Sequence, residues 1–463
     1  MKVAIIGGGI TGLTAAYYLQ KETMSQNINI EYHLYESSSK LGGKIKTDYH
    51  NGFIIEQGPD SFLARKESAA KLAKEVGLEH ELIYNNAGKA YVLKGQTLHP
   101  IPGGAIMGIP TKLGPFLTTS LFSPAGKTRA ALDLFLPKSS TNIDQSLGSF
   151  FRRRLGSEVV DNLIEPLLSG IYAGDIDRLS LQSTFPQFHQ VEQKHRSLIL
   201  GMKASRPLEN PQEKKTGAFQ TLRNGLQSLV DGLENHLDED AVYKNKTLEQ
   251  IVPEESRYKL LFKDGRSKIY DRVILATPPY VNAKLFNDKD IQHLFSSIPS
   301  TSVATVAMAF DENQIPEGFN GTGFVVSKKS NYTITACTWT HLKWEHTAPN
   351  GKALLRCYVG KPGGESIVEE DDERIIEAVL KDLNKVMEVS GRPEYYKITR
   401  WRNSMPQYEV DHANRMDKIK KTIQSSYPGV FVAGAAYEGV GLPDCINQGE
   451  DVIHHLLTSI NEK

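Results

Sequence analysis

The run "KVAIIGGGITGLTAAYYLQKE", residues 2–22, constrains this chain more than any other stretch. An apolar strand enters a glycine turn and leaves it as a helix, with Gly7, Gly9 and Gly12 in G-x-G-x-x-G order around Ile10 and Thr11. The three glycines serve different ends. Gly7 permits the tight turn, Gly9 lets backbone approach a pyrophosphate, and Gly12 lets helix and strand pack closely. Alone, the pattern also fits a turn that binds nothing. A second apolar run, "NIEYHLYE", closes on Glu36, 24 residues after Gly12, and completes a βαβ unit. A carboxylate there accepts hydrogen bonds from both ribose hydroxyls and disfavours a 2′-phosphate, so the ligand expected is a dinucleotide other than NADP.

At 463 residues the chain is long enough for two to four domains. Its 54 basic and 54 acidic side chains balance, so no overall field favours nucleic acid or an anionic membrane. Cys337, Cys357 and Cys445 are odd in number and widely spaced, which argues against a disulfide framework or a zinc site and for a reducing, cytoplasmic setting. His189, His341, His454 and His455 show no metal-ligand spacing. The start, one lysine before a strand, has no signal-peptide layout. The least charged stretch, Gly95 to Gly126, holds five prolines and Lys112, so it cannot span a bilayer; it is apolar enough to touch one peripherally.

The α/β texture of the start returns twice, in "TGAFQTLRNGLQSLVDGLENHL" with the hairpin and strand of "YKLLFKDGRSKIYDRVILATPP", and in "PGVFVAGAAYEGVGLPDCINQGEDVIHHL". Asp264–Gly265 is the hairpin turn. Between them lie proline-punctuated helices (94–179) and, from Ser302 to Arg402, β-rich runs interrupted by a helix over Asp371–Met387. One doubly wound α/β domain assembled from residues 1–62, 216–282 and 408–463 accounts for this most simply. A mixed-sheet domain takes 63–93, 180–215 and 283–407, and a helical lobe takes 94–179. Lys203–Lys215 reads as a mobile loop, and the last helix as Ile446–Ile460.

"ESSSKLGGKIKT" places Gly42–Gly43, followed by Lys44, just beyond Glu36 and Ser37. A second glycine pair there resembles the extended fingerprint of the glutathione-reductase-type FAD fold. That resemblance implies non-covalent FAD, touched by Gly58, Pro59, Asp60 and Ser61 of "QGPDSF" and by Ala276 and Thr277 of "RVILATPP". It also implies contacts from Gly434, Val440, Gly441 and Leu442 near the end, and from the Leu248 backbone at the adenine. The C-terminal loop then holds the same cofactor from its far side, with the last helix aiming its positive end at the ring. Cys445, near that helix start, is a packing residue on this reading rather than a covalent flavin link.

The phrases "EQGPDSFLARK", "LHPIPGGAIMGIPTK", "QSLGSFFRRRLG", "LIEPLLSGIYAGDIDRLSL", "EQKHRSLILGM", "SMPQY" and "EGVGLPDCINQG", in this order, resemble the protoporphyrinogen oxidase family of the flavin amine oxidase superfamily, and within it the coproporphyrin-forming branch of Gram-positive bacteria. The resemblance implies oxygen-dependent, six-electron oxidation of a porphyrinogen, with hydride passing from a methylene bridge to flavin N5 and hydrogen peroxide released. A ferrochelatase is the partner implied for the product; oligomeric state has no signal in the sequence. A four-propionate substrate calls for cations: Arg65 and Lys66 as the active-site residues, Lys44 near flavin or substrate, with Tyr172 and Ala173 lining the cavity. Asp60 departs from the basic residue that eukaryotic relatives tend to carry after Gly–Pro. Arg152, Arg153 and Arg154 are expected on a solvated helix face, and Lys194, His195 and Arg196 are weaker substrate candidates. Protoporphyrinogen IX oxidation, amine oxidation and cofactor carriage without turnover remain the alternatives.

Overall fold

A computed structural model describes residues 1–139, 143–205 and 217–461; most of the expected mobile loop, 206–215, lies outside them. The nucleotide-type sheet has five parallel strands in the spatial order Val242–Tyr243, Glu31–Tyr35, Lys2–Ile6, Arg272–Leu275, Val430–Val432. Its strands come from the three chain segments that share α/β texture. Ala4, Ile5, Ile274 and Leu275 are fully buried, as a parallel sheet covered on both faces requires. The fingerprint helix (Ile10–Gln26), the Gln227–His236 helix and the C-terminal helix (Leu442–Asn461) cover one face. A three-stranded antiparallel sheet (Leu248–Glu254, Arg257–Phe262, Ser267–Tyr270) and the helices Lys289–Ser296 and His412–Ser426 cover the other. The Asp264–Gly265 turn is where expected, with Gly265 at φ +80°.

The second sheet has seven strands, ordered Tyr395–Pro406, Ser300–Asp311, Lys352–Val359, Ile334–Trp339, Gly323–Val326, Ala90–Lys94, Thr97–Pro100. All neighbours run antiparallel except the Gly323–Val326 and Ala90–Lys94 pair. The expected helix is present at Asp372–Met387, capped by the Asp371 carboxylate on the Arg374 N–H at 2.8 Å, and packs its apolar face on this sheet.

The helical lobe is larger than the sequence indicates. Residues 181–204, expected with the mixed-sheet domain, form three helices that share one core with Phe150, Phe151 and Leu163. Phe188 meets Phe151 edge-on at a centroid distance of 5.0 Å, so the aromatic residues of "STFPQF" decide where this segment packs. The arginine run also differs from expectation: it is not a solvated face. Arg154 is fully buried and pairs through Nε with Asp133 at 2.6 Å and through Nη1 with Glu192 at 3.4 Å. It also donates to the Pro137 carbonyl at 2.9 Å and the Arg196 carbonyl. Arg153 pairs with Glu192, and Arg152 with Asp161 and Asp177. Periodicity places consecutive residues about 100° apart, but it could not show that four acidic residues from other segments surround this helix. Only the Arg196 carbonyl reaches this network; its exposed side chain donates to the Leu134 carbonyl at 2.9 Å. The Ser157–Tyr172 segment is α-helical at both ends with a π-turn over Val160–Ile164. It precedes Pro166, which has no N–H for the α-helical ladder.

Candidate active site

The fingerprint loop forms as its glycines dictate. Gly7, at φ +107°, donates its N–H to the Tyr35 carbonyl at 2.8 Å. A Cβ on Gly12 would lie 1.9 Å from the Gly7 carbonyl oxygen, whereas one on Gly9, its two chain neighbours apart, would meet no heavy atom of the described residues within 4 Å. Gly12 is therefore glycine for the protein and Gly9 for whatever lies above it. The fingerprint helix starts at Gly9 with no side-chain cap and no acidic residue in its first turn, leaving free N–H groups and a positive helix end, which fits a pyrophosphate. The Gly42 N–H bonds the Gly8 carbonyl at 2.8 Å, and Gly9 and Gly42 pair as a parallel bridge. The second glycine pair thus lies directly against the first.

Glu36 accepts from the Gly8 N–H and the Ser38 N–H, each at 2.8 Å, and from the Ser37 hydroxyl at 3.2 Å. Ala276 bonds the Ile6 carbonyl through its N–H, and Thr277 pairs with Asn282 beside Gly7. Leu248 is buried opposite Phe262, where a bulge interrupts the strand ladder.

The opposite wall comes from the C-terminus. Gly434 (φ +130°) donates to Gln448 Oε1 at 3.0 Å, and the Gly439 N–H donates to the Tyr408 hydroxyl at 2.7 Å. Val440 packs against the helical-lobe core. The final helix begins at Leu442, four residues before the expected Ile446. Pro443, which reads as a loop residue in sequence, suits a first helical turn because the N–H it lacks would be unpaired there. Asp444 and Cys445 therefore fall within the helix.

Around this helix start several expected residues converge. Lys66 Nζ lies 2.5 Å and 2.7 Å from the two Asp444 carboxylate oxygens. Lys44 donates to the Ser404 carbonyl, and burial pushes its pKa down. The Cys445 thiol lies under the fields of Lys44, Asp444 and Lys66, and burial pushes it up to about 11, which makes it a poor nucleophile at neutral pH. Tyr172 is buried, and burial together with Asp444 raises its hydroxyl pKa far above the ordinary value. Ala173 adopts φ +47°, and its carbonyl accepts from Thr301 at 3.1 Å. Arg65 is exposed and makes no ion pair among the described residues, so the structure does not bring it into the cluster.

The loop Gly58–Ser61 is fastened from the other sheet. Gln57, just before it, accepts at its carbonyl from Thr305 at 2.6 Å and Trp401 Nε1 at 3.1 Å. Arg356 donates to the Gly58 carbonyl, and beyond Pro59 the Asp60 carboxylate takes Lys343 at 2.8 Å, Arg356 at 3.9 Å and the Ser61 hydroxyl at 2.7 Å. Burial pushes the Asp60 pKa up, but Lys343 and Arg356 outweigh it and hold the carboxyl far below the usual range. Trp401, Arg356 and Lys343 escaped the sequence reading; the available signal was one arginine inside the apolar strand "LLRCYV". A carboxyl depressed on folding stabilises fully above its unfolded pKa of about 4 and loses that contribution as pH falls. Asp60→Asn should therefore lower stability at pH 7, with a smaller penalty at pH 3, measured by urea unfolding at both pH values.

Among the described residues no group of His, Cys, Asp or Glu could hold a metal, and no helix is long and apolar enough to cross a membrane.

The sequence model of the family "Flavin containing amine oxidoreductase" matches residues 10–452. The chain is 54% identical over 460 residues to a Bacillus subtilis (strain 168) protein named coproporphyrinogen III oxidase, covering 98% of each. It is 42% identical over 466 residues to a Staphylococcus aureus protein of the same name, covering 99% of each. A solved structure from Exiguobacterium sp. 255-15, provisionally named a protoporphyrinogen oxidase, superposes with a TM-score of 0.90 at 39% identity and covers 99% of each chain. A structure of reduced UDP-galactopyranose mutase, with a TM-score of 0.74 at 14% identity over 99% of this chain and 96% of its own, shares the fold.

Proposed function

The chain belongs to the flavin-containing amine oxidoreductase family and is an oxidase within it, and we propose that it oxidises coproporphyrinogen III to coproporphyrin III in haem biosynthesis. Six hydrogens leave the substrate as three hydride–proton pairs, and three O2 become three H2O2. Non-covalent FAD, when bound, supplies the hydride acceptor, at N5, and the route of electrons to oxygen. The observation that carries this reading is the meeting of the paired glycine cradle with a helix start whose Asp444 is paired to Lys66 and with a buried Tyr172, in a chain related over its whole length to proteins of that name.

The chain's own residues have mainly to bind, orient and keep out water. Gly7–Gly12 and Gly42–Gly43 would hold the pyrophosphate, Glu36 the ribose, and the Gly434–Leu442 segment the ring. The Asp60 cluster fixes the Gly58–Ser61 loop, so that side of the pocket is set before substrate arrives. Lys44, on this wall, serves carboxylate recognition, whereas Lys66 is held by Asp444. Arg65, at the surface, is available only to a propionate that projects from the pocket. The product is a metal-free porphyrin, so the reaction that consumes it is metal insertion by a ferrochelatase. We place the enzyme in the cytoplasm, with exposed Leu113, Leu117, Phe135 and Ile143 of the helical lobe as a peripheral membrane contact.

Purified protein should be yellow, release its flavin on denaturation, and turn coproporphyrinogen III into a fluorescent porphyrin while consuming O2. Equal or faster turnover of protoporphyrinogen IX would overturn the substrate assignment. No porphyrin from either would overturn the activity.

A further inference from the structure

The pairing of Lys66 with Asp444 changes what the last helix does at its cofactor end. From sequence, that helix offers only its positive end to the ring. In the structure its first turn also carries the Asp444 carboxylate, which opposes the helix dipole's effect on a neighbouring electron-rich group. That carboxylate lies on the glycine loop itself: a Cβ on Gly439 would meet Asp444 Cβ at 2.6 Å, and one on Gly441 would meet Oδ2 at 2.9 Å. Lys66 answers it with two contacts, 2.5 Å and 2.7 Å long.

The pair is not a chance surface contact. The helix that follows Lys66 is pinned to the C-terminal helix by Ser68 Oγ on the Pro443 carbonyl at 2.9 Å and by Lys71 on Glu450 at 2.8 Å. The other titratable groups facing Asp444 or Lys66 are the Tyr172 and Tyr408 hydroxyls and the Cys445 thiol, all kept neutral by burial, with Lys44 beyond Cys445.

We propose that Asp444 and Lys66 act as a matched pair of opposing charges on the balance between the reduced and oxidised cofactor, Asp444 opposing reduction and Lys66 favouring it. This rests on the reading above, in which residues 434–442 run along the flavin ring. A reduced flavin gains negative charge, so each unit charge beside it biases the reduced-to-oxidised ratio, by about tenfold or more in a partly buried site. The two residues bias it in opposite senses and cancel as a pair. Lys66 is then a positioning and electrostatic residue first, and its ammonium is not free for a substrate carboxylate while Asp444 holds it.

The test is redox equilibration of the purified holoenzyme with a reference dye, for wild type, Asp444→Asn, Lys66→Met and the double variant. Asp444→Asn should raise the reduced-to-oxidised ratio about tenfold at a fixed dye potential, Lys66→Met should lower it about tenfold, and the double variant should return to within threefold of wild type. Lys66→Arg, which keeps the charge, should stay near wild type. A purely structural fastening predicts shifts of the same sign, or none, in both single variants, and either result would overturn the proposal. If Asp444→Asn does not fold, the comparison of Lys66→Met with Lys66→Arg decides it: no difference between them refutes the pair's role. A wild-type protein that holds no flavin would refute the cofactor reading instead, a separate and recognisable outcome.

Discussion

Replacing Arg154 with methionine is expected to destabilise the helical lobe by about 3–5 kcal/mol, the usual cost of breaking a buried ion pair from one side. The guanidinium is fully buried and faces Asp133 and Glu192, which are themselves fully buried. Methionine fills much of the volume but leaves Asp133 without its cation and Glu192 with only Arg153. Asp133 keeps some support from the Ser197 hydroxyl at 2.6 Å and the Ile199 N–H at 3.0 Å, so its neighbours soften the loss without removing it. The helix end also suffers, because Arg129 donates to the carbonyls of Arg152 and Arg153 at 2.9 Å and 2.8 Å and needs that turn in place. Urea unfolding and limited proteolysis of the lobe measure the effect. Replacing all three charges with apolar residues of matched size should recover most of the stability. If Arg154→Met alone costs less than about 1 kcal/mol, the network does not hold the lobe.

Gly12→Ala should remove cofactor binding almost completely, by a hundredfold or more in affinity (about 2.7 kcal/mol). Its new Cβ would sit 1.9 Å from the Gly7 carbonyl oxygen, a backbone atom with no rotamer to escape into. The fingerprint helix must move away from the strand it follows, and its uncapped N-terminus moves with it. Gly9→Ala is the informative contrast. Apart from its two chain neighbours, none of the described residues lies within 4 Å of its Cβ, so the apoprotein should keep its stability while FAD binding weakens. Flavin content after purification and reconstitution of the apoprotein read both variants. Full FAD affinity in Gly9→Ala would mean that the ligand does not pass over that glycine.

What was legible in the sequence was what is local. The strand–glycine–helix unit, the placing of Glu36 and the glycine pair beside it, and the Asp264–Gly265 hairpin are encoded within a few dozen residues, and the structure forms each of these local elements. Family phrases extended that reading to Tyr172 and the 434–442 loop. Pairings between distant segments were not legible. Lys66 meets Asp444 across 378 residues, and Asp60 meets Lys343 across 283. No periodicity links such positions, and each charged residue alone looks like an exposed one. The arginine run shows the error most clearly, because buried charge and solvated charge have the same sequence signature. The misplaced start of the last helix has a different cause. Gly439, Gly441 and Pro443 read together as loop, although proline is at home in a first turn.

The five parallel strands come from the beginning, middle and end of the chain, and this bears on how the protein is made. A Cβ on Gly449 would meet the Thr11 carbonyl at 2.6 Å, so the first helix leaves the ribosome with its packing partner still unmade. At about 5–20 residues per second, the gap between the two is roughly 20–90 s. During that interval the inserted sheet and lobe can collapse on their own contacts, while the apolar first strand waits for neighbours. The nascent chain therefore has no finished cofactor pocket until its final segment is free, and a ribosome-stalled chain ending near residue 430 should bind no flavin. Loop-closure entropy over such separations makes this docking step slow.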